Sequence, residues 1–251
     1  MSLDLNIIRG ELRRFETQII SALLNRGQYA LNPEVYEIGK SGYQDYSPNY
    51  TLLDVMLYED EVNKASAGKF MQPEERPFFS STNVNNIKRK FEKMPSPIEA
   101  KYLTINLTDL VLTDYLEFLP LICKSKDSDG HFGSSAEYDM TCLSILSKRV
   151  HFGTFYVSES KFQADKEEYK RLALNDDRQG IWNFLTNSQI EDQIYQRILN
   201  KADYLQKDSR LETPRHTHII EPVIIANYFR DKIIPLTKQG EVEYLMARGL
   251  S

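Results

Sequence analysis

The sequence predicts an all-α protein, and three observations carry that prediction. Apolar residues recur at steps of three and four along most of the chain, the period of a buried helical stripe. Alternating strand patterns are nearly absent. Glycine and proline gather in a few short stretches that separate long uninterrupted runs. With 251 residues, 41% of them hydrophobic, the chain is long enough to bury a sizeable core. No internal repeat or linker divides it, so residues 1–251 are expected to form a single multi-helix domain.

From Leu5 the positions Ile8, Leu12, Phe15, Ile19 and Leu23 make one stripe, and neither glycine nor proline interrupts Glu11 to Arg26, so the first helix is long. Asn32-Pro33 stops any continuation, and residues 38–50 read as a surface loop. A second helix is expected from about Thr51 to Phe70. A punctuated stretch from Met71 to Pro97 comes next, and helix resumes near Pro97 through Leu119. After the charged turn Lys124–Gly130, the pattern from Ser134 to about Leu174 predicts one very long central helix. Shorter helices are expected near Gln179–Leu185 and Ser188–Leu205, then a polar loop over 206–218. Glu221-Pro222 opens the last helix, because proline suits the first helical position. That helix should reach Leu245 or beyond, with a kink at Pro235.

Thirty-one basic and 36 acidic residues leave a net charge of −5, a poor basis for binding nucleic acid, which calls for a basic stripe. Cys123 and Cys142 fit neither a disulfide framework nor a zinc site, and point to a reducing compartment. No secretory or transit pattern and no apolar run of about 18 residues is present, so a cytoplasmic protein without a membrane partner is expected. His216-x-His218 is too slight a signal for a metal, and none is expected. Phosphate-cradling glycine loops and the common hydrolase motifs are also missing.

What stands out is polar groups at helical spacing inside apolar stretches. Asn187 and Glu191 are four apart, as are Thr237 and Glu241, so each pair shares a helix face. Taken alone these have ordinary readings: Ser188 and Glu191 fit a capping box, Thr237 could repair the kink at Pro235, and Arg9 beside Ile8 could lay its stem along the apolar stripe. Arg149 and Lys161 are harder to dismiss. They sit among Val150, Phe152, Phe155, Val157 and Phe162, and cations in so apolar a segment need partners, which invites an anionic ligand.

Leu146-Ser-Lys-Arg-Val-His-Phe-Gly153, followed by Ser158-Glu-Ser-Lys-Phe162, resembles the central helix of the eukaryotic chorismate mutases. Thr186-Asn-Ser-Gln-Ile-Glu191 and Ile233-Ile-Pro-Leu-Thr-Lys-Gln-Gly-Glu-Val-Glu-Tyr-Leu245 are similar to that family's later motifs. Ile8-Arg-Gly-Glu-Leu12, Pro33-x-Val-Tyr36, Pro77-Phe-Phe79 and Phe132-Gly-Ser134 match further points, all in the same order. The resemblance implies an all-helical homodimer that rearranges chorismate to prephenate without a cofactor. It implies that Arg9 and Arg149 bind the substrate's two carboxylates, since a guanidinium fork meets a carboxylate with two parallel hydrogen bonds. Lys161 and Glu241 would flank the ether oxygen of the breaking bond, Glu191 would accept from the ring hydroxyl, and Asn187 and Thr237 would complete the lining. A pericyclic shift within one molecule needs no nucleophile, only orientation and stabilisation of charge on the ether oxygen. Glu241 can supply the latter only as a neutral acid that donates a hydrogen bond.

Two departures from the family pattern stand out. Its spacing from arginine to lysine is eleven steps, whereas Arg149 to Lys161 is twelve, an overshoot of about a third of a turn in a regular helix. A π-bulge, the usual way for a helix to absorb one residue, is therefore expected near Thr154–Val157. The resemblance also implies a dimer-interface pocket, matched by Gly133 and Ser134, where tyrosine inhibits and tryptophan activates. Gly68-Lys69 stands where two adjacent arginines are expected, and Glu137 where a small hydroxyl residue is expected, so capture of an effector's carboxylate should be weakened. The alternative function is a helical relative with impaired catalysis that acts as a binding or interaction protein.

Overall fold

A computed structural model describes residues 3–40, 42, 48–79, 95–212 and 217–251, and all regular structure among them is helical. The first helix, α1 (Leu5–Arg26), opens on Asp4, whose side chain accepts from the Asn6 amide, and buries the expected Ile8, Phe15, Ile19 and Leu23. Helix α2 (Leu52–Ser66) starts on a capping box formed by Thr51 and Asp54. It stops short of the expected Phe70 because Gly68 and Phe70 take left-handed backbone conformations, at φ 93° and 69°, which a right-handed helix cannot continue through. The helix expected from Pro97 is instead a 3₁₀ turn at Ala100–Thr104 and then α3 (Thr108–Phe118).

The central stretch runs as α4 (Phe132–Phe152), a π-turn over Gly153–Val157, and α5 (Ser158–Ala164). The expected bulge is therefore present. The single helix reaching Leu174 is not: Asp165 leaves the helical region at φ −134° and ψ 52°, and α6 (Lys166–Leu174) starts afresh. Helix α7 (Arg178–Leu185) is capped by Asp177, whose carboxylate accepts from the Gly180 amide. Helix α8 (Ser188–Glu212) outlasts the expected Leu205. Gln206 is buried there, and its side chain both donates to the Ile220 carbonyl (3.1 Å) and accepts from the Ile220 amide (2.8 Å), so an anchor occupies what read as polar loop. Helix α9 (Pro222–Tyr228) passes through a second π-turn, Phe229–Ile233, into α10 (Ile234–Gly249). Pro235, expected to kink the helix, lies in the first turn after this widened one. The loop over 38–50 and the stretch before Pro97 fall in part outside the described residues, as does His216.

Two groups of buried side chains form the interior. One gathers Tyr115, Phe118, Leu143, Leu146 and Phe229, the other Phe152, Phe155, Phe162, Tyr244 and Leu245. Ile145 of α4 packs against both. Polar braces cross the first group. Arg26 donates from Nε to Asp139 (2.7 Å) and from its other nitrogens to the carbonyls of Ala30 and Leu31, while the Tyr36 and Tyr115 hydroxyls complete the shell of Asp139 at 2.6 Å each. The full set of bonds is what makes a buried ion pair tolerable. His151, fully buried, accepts at Nε2 from the Leu107 amide (2.9 Å), and its Nδ1 lies 2.8 Å from the Ser147 carbonyl. Accepting at Nε2 makes Nδ1 the donor, and burial pushes the ring's pKa down to about 4, so it stays neutral. Among the described residues no helix is long and apolar enough to cross a membrane.

The contact that positions the functional site is the crossing of the first π-turn over α10. It is built from two reciprocal pairs: Gly153 faces the methyl of Thr237, and Gly240 faces the side chain of Thr154. A Cβ at Gly240 would overlap Thr154 Oγ1 and stand 2.7 Å from Leu107 Cδ1, so even one added carbon over-packs the junction. Gly240→Ala should therefore lose about 1–3 kcal/mol of unfolding free energy in urea titration. Trimming the opposing side chain in Gly240→Ala/Thr154→Ala should recover part of it. Additive losses would show that the two residues do not share this space.

Candidate active site

The turns that bring the site together depend on this crossing. Arg149 lies in the last turn of α4 and Lys161 in α5, and the π-turn between them takes up the twelfth residue so that both side chains line one cavity of about 320 Å³. Helix α1 contributes Arg9, the start of α8 contributes Asn187 and Glu191, and α10 contributes Thr237 and Glu241. All seven residues singled out from the sequence therefore share one cavity, with Leu5, Val157, Leu185 and Ile234 as apolar walls.

Arg149 is only 5% exposed, and burial lowers the pKa of its guanidinium from the ordinary arginine value. One nitrogen donates to Thr237 Oγ1 at 2.7 Å, and that hydroxyl donates in turn to the Ile233 carbonyl at 2.7 Å. Thr237 thus both closes a backbone position near Pro235 and aims the arginine. Arg149 Nε is buried without a hydrogen-bond partner, although such groups are ordinarily satisfied. The opposite charges that act on it are Glu16 and Glu241. Burial alone would raise the pKa of Glu16, but hydrogen bonds from Arg197 (2.7 and 2.9 Å) and Lys201 (3.1 Å) hold it below the usual carboxylate range.

Lys161 Nζ stands 3.3 Å from Glu241 Oε2, the lysine half-buried and the carboxyl almost wholly so. An atom that displaces neither but sits against both meets an ammonium on one side and a carboxyl on the other. On the far wall Glu191 Oε1 pairs with Lys238 Nζ at 2.8 Å. The capping box expected of Ser188 and Glu191 is not formed. Asn187 is the cap, its Oδ1 accepting from the Ile190 amide at 3.1 Å, which frees the Glu191 carboxylate for the lysine.

Lys238 is the lining residue that sequence reasoning missed. It is 8% exposed, bonds Thr186 Oγ1 at 3.0 Å, and lies 4.9 Å over the Trp182 ring. Pairing polar residues four apart picks out Thr237 and Glu241 and passes over the lysine between them. The signal was the one that picked out Lys161, a cation inside an apolar helical run.

The three residues associated with an effector pocket are not brought together within the chain. Lys69 lines a small cavity near Arg76 and Lys148 and pairs with Glu75 at 2.9 Å, while Gly133 and Ser134 occupy the first turn of α4 and take no part in it. Among the described residues no group of three or more His, Cys, Asp or Glu side chains is placed to hold a metal. Cys123 and Cys142 are buried and unpaired.

Comparison with known proteins bears on what this cavity does. No protein-family model matches the chain. It is 36% identical over 255 residues to the chorismate mutase of Saccharomyces cerevisiae, covering 98% of this chain and 95% of that protein. It is similar in structure to a chorismate mutase from Candida albicans in complex with L-Trp, at a TM-score of 0.89 and 32% identity, covering 98% of this chain and 92% of that one. It is also similar to AtCM1 with tyrosine bound in its allosteric site, at a TM-score of 0.83 and 30% identity, covering 96% and 94% of the two chains.

Proposed function

We propose that this chain, which belongs to the eukaryotic chorismate mutase family, works through the seven side chains Arg9, Arg149, Lys161, Asn187, Glu191, Thr237 and Glu241. The reaction is the isomerisation of chorismate to prephenate, a step toward phenylalanine and tyrosine. The observation that carries the assignment is a buried arginine with no carboxylate bonded to it among the described residues, lining the same cavity as Lys161 and Glu241.

Arg149, aimed by Thr237, takes one carboxylate of the dianion, and Arg9 takes the other from α1. Holding both ends folds the substrate into the compact form in which its termini can bond, and this orientation replaces any need for a nucleophile. As the ether C–O bond stretches, charge gathers on its oxygen. Lys161 meets that charge as a cation and Glu241 as a hydrogen-bond donor, in a site walled by apolar side chains where such contacts count for more than in water. Glu191, paired with Lys238, accepts from the ring hydroxyl, and Asn187 lines the cavity beside it. The chemistry is complete within one molecule, so no cofactor or metal is required. The alternative of a catalytically impaired binding protein has no observation in its favour.

We further infer one domain, since Ile145 joins the two core groups, and residence in a reducing, cytoplasmic setting, which two buried free thiols suit. The chain is read as a homodimer. Lys69 and the Gly133–Ser134 turn line no common cavity in one copy, so a pocket for tyrosine or tryptophan containing all three calls for a second. With Lys69 already paired to Glu75, the response to either amino acid should be weak.

Three measurements test these readings. Arg149→Ala should lower kcat/KM for chorismate by about a thousandfold, the loss of roughly 4 kcal/mol of transition-state stabilisation; near-parental turnover would remove the arginine from the site. Glu241→Gln, which keeps a hydrogen-bond donor at this position, should retain far more of kcat than Glu241→Ala, and equal losses in the two variants would exclude the donor role. Sedimentation equilibrium should give twice the chain mass of 29.2 kDa, whereas a single-chain mass at micromolar concentration would refute the dimer.

A further inference from the structure

A second cavity of about 130 Å³ adjoins the first and shares Arg9, Leu12, Arg149, Ile190 and Ile194 with it. Its own contribution is Arg13, Glu16, Gln193 and Arg197. Arg9, Leu12, Arg13 and Glu16 fall at steps of three and four, so one face of α1 forms the shared wall.

The charges in this annexe are unequally engaged. Arg197 is spent on Glu16, which also takes Lys201. Arg14, the next residue along, is paired with Glu11 at 2.7 Å. Arg13 differs from both: it is exposed, lines the annexe, and among the described residues its guanidinium has no carboxylate partner. Across the two cavities six cationic side chains stand against three carboxyl groups, in a chain whose net charge is −5. A cleft of one sign in a protein of the other concentrates counter-ions at that cleft.

We propose that Arg13 is an outer recognition residue of the catalytic cavity, which draws the dianionic substrate through the annexe toward Arg9 and Arg149 and takes no part in the bond rearrangement. The proposal rests on the assignment of chorismate as substrate and deepens it, by adding a long-range element to a site otherwise described through its contacts. Arg13 stands one helical turn from Arg9 and lies on the side open to water, so it acts through the field at the entrance. An exposed charge acts over about a Debye length, which shrinks from about 10 Å at 0.1 M salt to about 3 Å at 1 M. Its effect must therefore fade as salt rises, whereas a lost contact or a disturbed fold would persist.

The test compares the parent with Arg13→Gln, Arg13→Glu and, as a charge-matched control, Arg14→Gln, using purified full-length protein at low and at high salt. At low salt Arg13→Gln should lower kcat/KM for chorismate about threefold and Arg13→Glu about tenfold, with kcat unchanged, and both deficits should shrink toward nothing at high salt. Arg14→Gln should match the parent throughout. Equal kcat/KM in all four proteins, a deficit that ignores salt, or the same deficit in Arg14→Gln would each overturn the role. Equilibrium binding of prephenate by calorimetry supplies a second readout that does not depend on turnover. Salt-sensitive weakening in the two Arg13 variants would uphold the recognition role even if the parent failed to turn over chorismate, which would sink the catalytic assignment alone. No prephenate binding by the parent, or binding equal in all four proteins, would sink the role of Arg13.

Discussion

The structure depends on how closely the first π-turn can approach α10. Of the seven proposed site residues and Lys238, five are carried by these two segments: Arg149 and Lys161 flank the turn, and Thr237, Lys238 and Glu241 lie on the helix it crosses. Glycine on each side, at Gly153 and Gly240, lets the backbones come near enough for Thr237 to hold Arg149 and for Glu241 to stand beside Lys161. The threonines opposite fill the room the glycines leave, so the approach has a lower limit as well as an upper one. Close packing of this kind fixes relative positions to within fractions of an ångström, the precision that an orientation-driven reaction requires.

The surrounding molecule divides its polar groups by purpose. In the core around Tyr115, Arg26 and Asp139 satisfy each other completely, with the help of two tyrosines and two carbonyls. Nothing there is left over to meet a ligand. Around the cavity the opposite holds: among the described residues Arg149, Arg9 and Arg13 have no carboxylate bonded to them. Buried cations cost stability unless compensated, and here compensation from Glu16 is shared with Arg197 and Lys201. The site is therefore short of negative charge, which suits it to a dicarboxylate.

Much of this was legible in the sequence. Periodicity located most of the helices, and the one-residue excess between Arg149 and Lys161 announced the π-turn, because helix geometry leaves few ways to absorb a single residue. Where the reading erred, the deciding information lay outside the segment concerned or in a contest between adjacent residues. Nothing local in Lys161–Tyr169 shows that Asp165 leaves the helix, and nothing in the polar run after Leu205 shows that Gln206 will clamp Ile220. The assignment of Ser188 as cap failed by one position, since Asn187 competes for the same role with a similar side chain. Lys238 escaped notice because pairing polar residues four apart passes over it, and its partners Trp182, Thr186 and Glu191 lie outside α10.

The pairing of Thr154 with Gly240 also bears on how such a chain can change over generations. Removing one residue from the π-turn would rotate Thr154 away and leave Gly240 facing a hole, and a side chain gained at 240 first would collide with the threonine already there. The two positions are 86 residues apart in the numbering, yet neither can be altered sensibly without the other. A chimaera that took its central helix from one relative and its last helix from another would inherit half of a matched set, so the junction acts as a single hereditary unit written in two distant places.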